Sequence, residues 1–95
     1  MRLNNGRSGN FGNFEKFTPN GQYGHLFHEV IRAKALSCMI DESSSTAYRL
    51  LNKARTALQK PSTYKLTLGE FCGFYTDQRP EWLAYRFWIY RRGNR

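Results

Sequence analysis

Cysteine, acidic residues and long apolar runs are all scarce in this sequence, and each scarcity excludes something. Two cysteines, Cys38 and Cys72, cannot build the multi-bridge framework of a small secreted domain. Both are expected to stay reduced and to pack as small buried hydrophobes. The apolar runs are only a few residues long, too short to span a bilayer. No signal-peptide pattern opens the chain, so the expected setting is the cytoplasm, with no membrane partner.

Catalytic equipment is equally thin. No glycine-rich phosphate loop follows a strand pattern, and no nucleophile has a base placed near it. Glu70 is accounted for as a helix-capping residue. The expectation is a non-enzyme with no cofactor. His25 and His28, three apart, can join Cys38 and Cys72 as four zinc-ligand types. Their spacing matches no compact finger and there is no CxxC pair, so no metal site is expected.

What is present is a core and an excess of positive charge. Ninety-five residues make one small domain, with 40% hydrophobic content and fifteen aromatics to fill its interior. A domain of this size buries only about 60% of its unfolded surface, which leaves a thin margin of stability. Fifteen basic residues against seven acidic ones give a net charge of +8. The excess is uneven: after Asp41 the chain carries ten basic and four acidic residues, a balance of +6. A basic excess gathered in the folded half is the electrostatic footprint of a polyanion binder.

Residues 1 to 24 hold five of the eight glycines and five asparagines, with Phe11, Phe14 and Phe17 spaced among them. This pattern predicts a flexible arm preceding a helical domain over residues 25 to 95. An arm that docks its phenylalanines, or lays Arg2 and Arg7 along a phosphate backbone, is the alternative. A first helix is expected over His25 to Ile40; its apolar residues spread around the wheel, which suggests burial on more than one side or a break into two shorter helices near Ala35. A second should start at a Ser43 or Ser44 cap and run to about Gln59, ahead of Pro61. At about 100° per residue its Ala47, Leu50, Leu51, Ala54 and Leu58 share a core-facing arc of about 100°. Thr67 with Glu70 reads as a capping box opening a third helix. Pro80 and Glu81 start a fourth, which Arg91, Arg92 and Gly93 finish; a strand over "AYRFWIY" is the alternative. The expected fold is all-α, with three to four helices.

Opposite the core stripe of the second helix lie Ser45, Arg49, Asn52 and Thr56, with Tyr48 and Lys53 on the flanks. Helix, short polar turn and helix make a helix-turn-helix layout, in which the second helix offers its N-terminal residues to the major groove. Arg49 suits guanine, Asn52 suits adenine, and Ser45 or Thr46 can meet a base edge or a phosphate. A solvated helix face is the plain alternative. "SSSTAYRLLNKARTALQKP" resembles the recognition-helix half of small bacterial and phage helix-turn-helix proteins. "KLTLGEFCGFY" is similar to the helix start of excisionase-like and MerR-like DNA binders. The combination, over roughly residues 30 to 77, resembles short DNA-binding proteins of Bacteroidetes and their mobile elements. Asp41 stands where a turn glycine is common, and Glu42 where an apolar residue usually packs. The resemblance implies Ser45, Thr46, Arg49, Asn52 and Lys53 as DNA-facing positions. It implies duplex DNA as the partner, bound by a transcriptional regulator or mobile-element accessory factor.

The C-terminal "WLAYRFWIYRR" offers Trp82, Tyr85 and Ile89 on one face and Leu83, Phe87 and Tyr90 on another. It is expected to serve as core donor, or to place Trp82, Tyr85, Phe87 and Trp88 in a partner interface, including a homodimer seam. Two rival functions use the same aromatics: a phage-type inhibitor or antirepressor that occludes a protein target, and RNA or single-strand binding with Arg86, Arg91 and Arg92 at the phosphates.

Overall fold

The computed structural model describes residues 14–93. Arg2, Arg7 and Phe11 of the expected arm lie outside them. Among the described residues the chain is all-α. Two 3-10 turns, Phe14–Phe17 and Gly24–His28, precede four helices: α1 (Ala33–Ile40), α2 (Ser44–Ala57), α3 (Leu68–Phe74) and α4 (Pro80–Gly93). Helix α1 packs on both α2 and α4, and α3 closes the core against the second 3-10 turn.

The first expected helix does not run from His25 to Ile40, and it does not break at Ala35. It gives way between Glu29 and Arg32, where the chain becomes extended and Val30 forms an antiparallel bridge with Thr67. The Ile31 N–H donates to the Leu66 carbonyl at 3.0 Å, and the Leu68 N–H donates to the Glu29 carbonyl at 2.8 Å. Val30 and Ile31 are β-branched, so extension costs them little. Ile31, Leu66 and Leu68 are buried together at the bridge. A long-range pairing overrides a weak local helix preference.

Helix α2 starts where its serines direct. Ser43 is the cap, its Oγ accepting from the Thr46 N–H at 3.1 Å. The helix stops at Ala57, short of Gln59, which takes a left-handed φ of 60°. The Lys60 N–H returns to the Arg55 carbonyl at 2.8 Å and the Gln59 N–H to that of Thr56 at 3.0 Å, the two bonds of a Schellman ending. Ala47, Leu51 and Ala54 of the expected stripe are buried, Leu50 is half-buried, and Leu58, past the helix end, is exposed.

The capping box of α3 is formed in both directions: the Glu70 N–H donates to Thr67 Oγ1 at 3.2 Å, and the Thr67 N–H donates to Glu70 Oε1 at 3.0 Å. Helix α4 excludes the strand alternative for residues 84–90 and buries Leu83, Ala84 and Phe87. Cys72 is buried as expected, and burial pushes its thiol up to about 12. Cys38 departs from the expectation and is exposed.

Residues 14–24 are part of the folded unit, so the boundary expected at residue 25 falls earlier. Phe17 is buried and stacks on Tyr23 with ring centroids 4.7 Å apart, and both reach Trp88 of α4, at 5.6 and 5.4 Å. Gly24 is buried against Pro19, and a side chain there would run into the Pro19 carbonyl. A glycine that suggests a loose arm serves close packing instead.

Two substitutions should move stability in opposite directions. Thr67→Ala removes a cap and should cost about 1 kcal/mol, a fall in Tm of about 4–8 °C for a domain of this size. Gln59→Gly relieves a left-handed residue and should gain roughly 0.5–1 kcal/mol after the extra chain entropy of glycine is subtracted. Thermal melts of the two variants beside the parent check both signs.

Candidate nucleic-acid interface

The turn between α1 and α2 is built without glycine. Asp41 takes the left-handed conformation itself, at φ 58° and ψ 42°. Its short polar side chain tolerates a region that most residues avoid. The Asp41 and Glu42 N–H groups both return to the Ser37 carbonyl, which ends α1. Arg86 of α4 braces this end, donating to the Cys38 carbonyl at 3.0 Å and lying 3.4 Å from the Asp41 carboxylate. Glu42, where an apolar side chain usually packs, is exposed.

Across that turn, α2 presents Ser45, Arg49, Lys53 and Thr56 to solvent. Arg49 and Lys53 form no ion pair among the described residues. A shallow groove of about 410 Å³ runs along them, lined by Arg49, Asn52, Lys53, Thr56 and Ala57. The other two expected readers have employment elsewhere. Thr46 is half-buried in the cap, its Oγ1 accepting from Ser43 Oγ at 3.1 Å. Asn52 Oδ1 accepts from Arg55 Nη1 at 2.7 Å, so the amide is already oriented within the protein. Reading adenine needs both ends of that amide. Ser45, Arg49 and Lys53 remain as the unengaged members of the set.

Arg55 is the residue that the helical wheel did not single out. Its Nε donates to the Tyr64 carbonyl at 2.6 Å, while Nη1 holds Asn52. Both acceptors are neutral, so the part-buried guanidinium is fixed but not neutralised. Tyr64 is fixed in turn: its Oη donates to Glu70 Oε2 at 2.6 Å, and Lys60 Nζ lies 4.8 Å from its ring centroid. Bonds from the Thr67 backbone and Tyr64, with Lys60 adding positive charge, hold the Glu70 carboxyl below its ordinary range. The same bond to Glu70, with burial, raises the Tyr64 phenol.

Charge is segregated. All three ion pairs among the described residues involve an arginine of α4 or of the residue just before it: Arg79–Glu81, Arg86–Asp41 and Arg91–Glu29. The cations of α2 and of the segment after it, Arg49, Lys53, Arg55, Lys60 and Lys65, have no such partner among the described residues. The carboxylates nearest these cations along the chain are Glu42, exposed just before α2, and Glu70, held by Tyr64 and Thr67.

The aromatic helix is arranged differently from the expected interface. Phe87 is core, 4% exposed, and does not belong to a surface seam. Trp88 is half-buried, against Phe17 and Tyr23 of the same chain, with the Arg92 guanidinium 4.7 Å from its ring centroid. Trp82 and Tyr85 are half-buried and packed together at 5.7 Å. His25, His28, Cys38 and Cys72 do not converge, and no group of three or more His, Cys, Asp or Glu is placed to hold a metal ion among the described residues. Nor is any described helix long and apolar enough to cross a membrane.

Comparisons with protein-family models, with curated proteins and with solved structures returned no match. The geometry of the chain itself is what bears on function.

The Tyr64–Glu70 bond sets a pH window. Glu70 is depressed in the fold, so its stabilisation is complete above the ordinary carboxyl value of about 4.3 and is lost as pH falls through the folded value. Tyr64 is raised, so its share declines as pH climbs past the ordinary phenol value of about 10. Glu70→Gln keeps a capping side chain but no charge. In urea titrations the stability gap between parent and Glu70→Gln should shrink below about pH 4. A gap unchanged from pH 7 to pH 3 would mean that the carboxylate charge contributes nothing.

Proposed function

We propose that this chain binds duplex DNA, with α2 as the reading helix of a helix-turn-helix, and serves as a small transcriptional regulator or mobile-element accessory factor. The observation that carries the reading is the exposed row Ser45, Arg49 and Lys53, in no ion pair among the described residues, whose ion pairs involve Arg79 and the arginines of α4. The resemblance of residues 30 to 77 to small helix-turn-helix proteins points the same way.

The division of labour follows from chemistry. Lys53, with Lys60 beyond the helix end, neutralises phosphates and supplies affinity without sequence preference. Arg49 reaches a base edge, where a guanidinium fork matches the two acceptors of guanine. Ser45, in the first turn of α2, donates to a base or phosphate oxygen. Homodimerisation through α4 is not part of this reading, because Phe87 is core and Trp88 is packed in part against Phe17 and Tyr23 of the same chain.

Arg49→Ala should leave melting within about 0.5 kcal/mol of the parent, as surface substitutions usually do. It should also flatten sequence preference on duplex DNA, since a base-reading arginine contributes about 1–3 kcal/mol of discrimination. Lys53→Ala should weaken binding evenly across sequences and reduce the slope of log K against log salt by about 0.9, one phosphate contact. Gel-shift titrations at two salt concentrations read both effects. Parent-like binding by Arg49→Ala on every duplex would leave the row a solvated face.

A further inference from the structure

Beside the reading face, α2 borders a second concavity. A cleft of about 300 Å³ lies between the start of α1, the flank of α2 and the segment leading to α3. Its lining includes Val30, Arg32, Tyr48, Arg55, Tyr64 and Lys65, and no carboxylate. Three cations thus line one small space, and the carboxylate behind its wall, Glu70, is engaged by the Tyr64 hydroxyl and the Thr67 backbone.

The side chains differ in how they are held. Arg55 is locked by Tyr64 and Asn52, which take two of its five N–H donors and leave three for an anion. The ordering cost of that guanidinium is met before any ligand arrives. Tyr64 forms a fixed wall, with Lys60 over its ring and Glu70 on its hydroxyl. Tyr48 is 59% exposed and has no hydrogen bond or ring contact among the described residues. Val30 beside it is a further exposed apolar residue, 38% accessible. A bare phosphate contact needs the cations alone. An open tyrosine ring and an exposed valine next to them call for a flat apolar group attached to the anion, which is the build of a nucleotide. The volume is at the lower end of small-ligand pockets, room for one such unit and not a run of them.

We propose that this cleft seats a single unpaired nucleotide adjoining the duplex on α2, its phosphate held by Arg32, Arg55 and Lys65 and its base laid on Tyr48. The proposal rests on α2 binding duplex DNA, because Asn52 and its partner Arg55 join the two surfaces directly. It predicts a preference for duplex ends, nicks or gaps over continuous duplex.

The test compares a blunt duplex with the same duplex carrying a one-nucleotide 5′-phosphorylated overhang, and includes the single-stranded oligonucleotide alone. Proteins are the parent, Tyr48→Ala, Lys65→Glu and Arg49→Ala; binding is read by anisotropy, and folding by circular dichroism. The overhang should tighten parent binding about tenfold, the scale of one base stacked on an aromatic ring. Tyr48→Ala and Lys65→Glu, both exposed substitutions, should fold normally and lose that gain. Arg49→Ala should weaken both duplexes and keep the ratio between them. Equal parent affinity for blunt and overhanging duplex overturns the cleft while leaving duplex binding in place. An overhang gain that survives in both Tyr48→Ala and Lys65→Glu also overturns it. Failure of every duplex, with single strand still bound in a Tyr48-dependent way, supports the cleft and rejects the duplex reading. No binding of any probe rejects both.

Discussion

Two backbone hydrogen bonds tie residues 29–31 to residues 66–68, and the rest of the domain depends on them. They interrupt what would otherwise be one long helix, so that α1 starts at Ala33 and meets α2 across a short turn. They fix the start of α3, because Thr67 is at once the bridge partner of Val30 and the cap of that helix. They also bring Val30 and Arg32 alongside Lys65 and Tyr64, which forms the cleft. The pair is short, and an isolated two-residue ladder has little stability in water. It persists because Ile31, Leu66 and Leu68 are buried around it. Burial keeps water from competing for the amides, and the amides keep the buried side chains in register.

The same packing sorts the charges. Helix α4 docks its arginines on the carboxylates of its neighbours, with Arg86 at the end of α1 and Arg91 on Glu29. Exposed pairs of this kind contribute little to stability. Their larger consequence is electrostatic: they occupy Glu29, Asp41 and Glu81, whereas Arg49, Lys53 and Arg55 of α2 are in no ion pair among the described residues. No charged or polar residue is buried among the described residues, so the core itself does not discriminate between the two sides. The asymmetry lies in the surface alone.

Features set within one helical turn were legible in the sequence. The Ser43 cap, the Thr67–Glu70 box and the Pro80 start all involve residues three or fewer apart, where local chemistry decides. So was the outward position of Ser45, Arg49 and Thr56, which follows from helical periodicity once Ala47, Leu51 and Ala54 are taken as core. The bridge was not legible, because neither Val30 nor Thr67 signals a partner so distant along the chain. Periodicity also says which way a side chain leaves the helix and not what it then finds. Asn52 points outward on the wheel and is engaged by Arg55, and Thr46, a further expected reader, is engaged by Ser43. The glycines near residue 20 misled for a related reason: room for motion and room for close approach have the same signature in a sequence. Gly24 uses the second.

The two arginines of α2 show what that engagement changes. Arg49 and Arg55 have the same chemistry on the same helix, yet only one is held. Arg49, exposed and in no ion pair among the described residues, would have to order its long side chain on the proposed partner, at a cost that a good base contact recovers and a poor one does not. Such a residue discriminates, because its net contribution depends on what it meets. Arg55, already fixed by the Tyr64 carbonyl and Asn52, has little left to order and attracts any anion that fits between Arg32 and Lys65. Such a residue positions. Asn52, bonded to Arg55, also lines the groove along Arg49, so the proposed anion seat and the proposed reading row adjoin on one helix. Under the proposed reading, a ligand anchored this way would be read in one register, with discrimination and anchoring assigned to separate residues of a single helix.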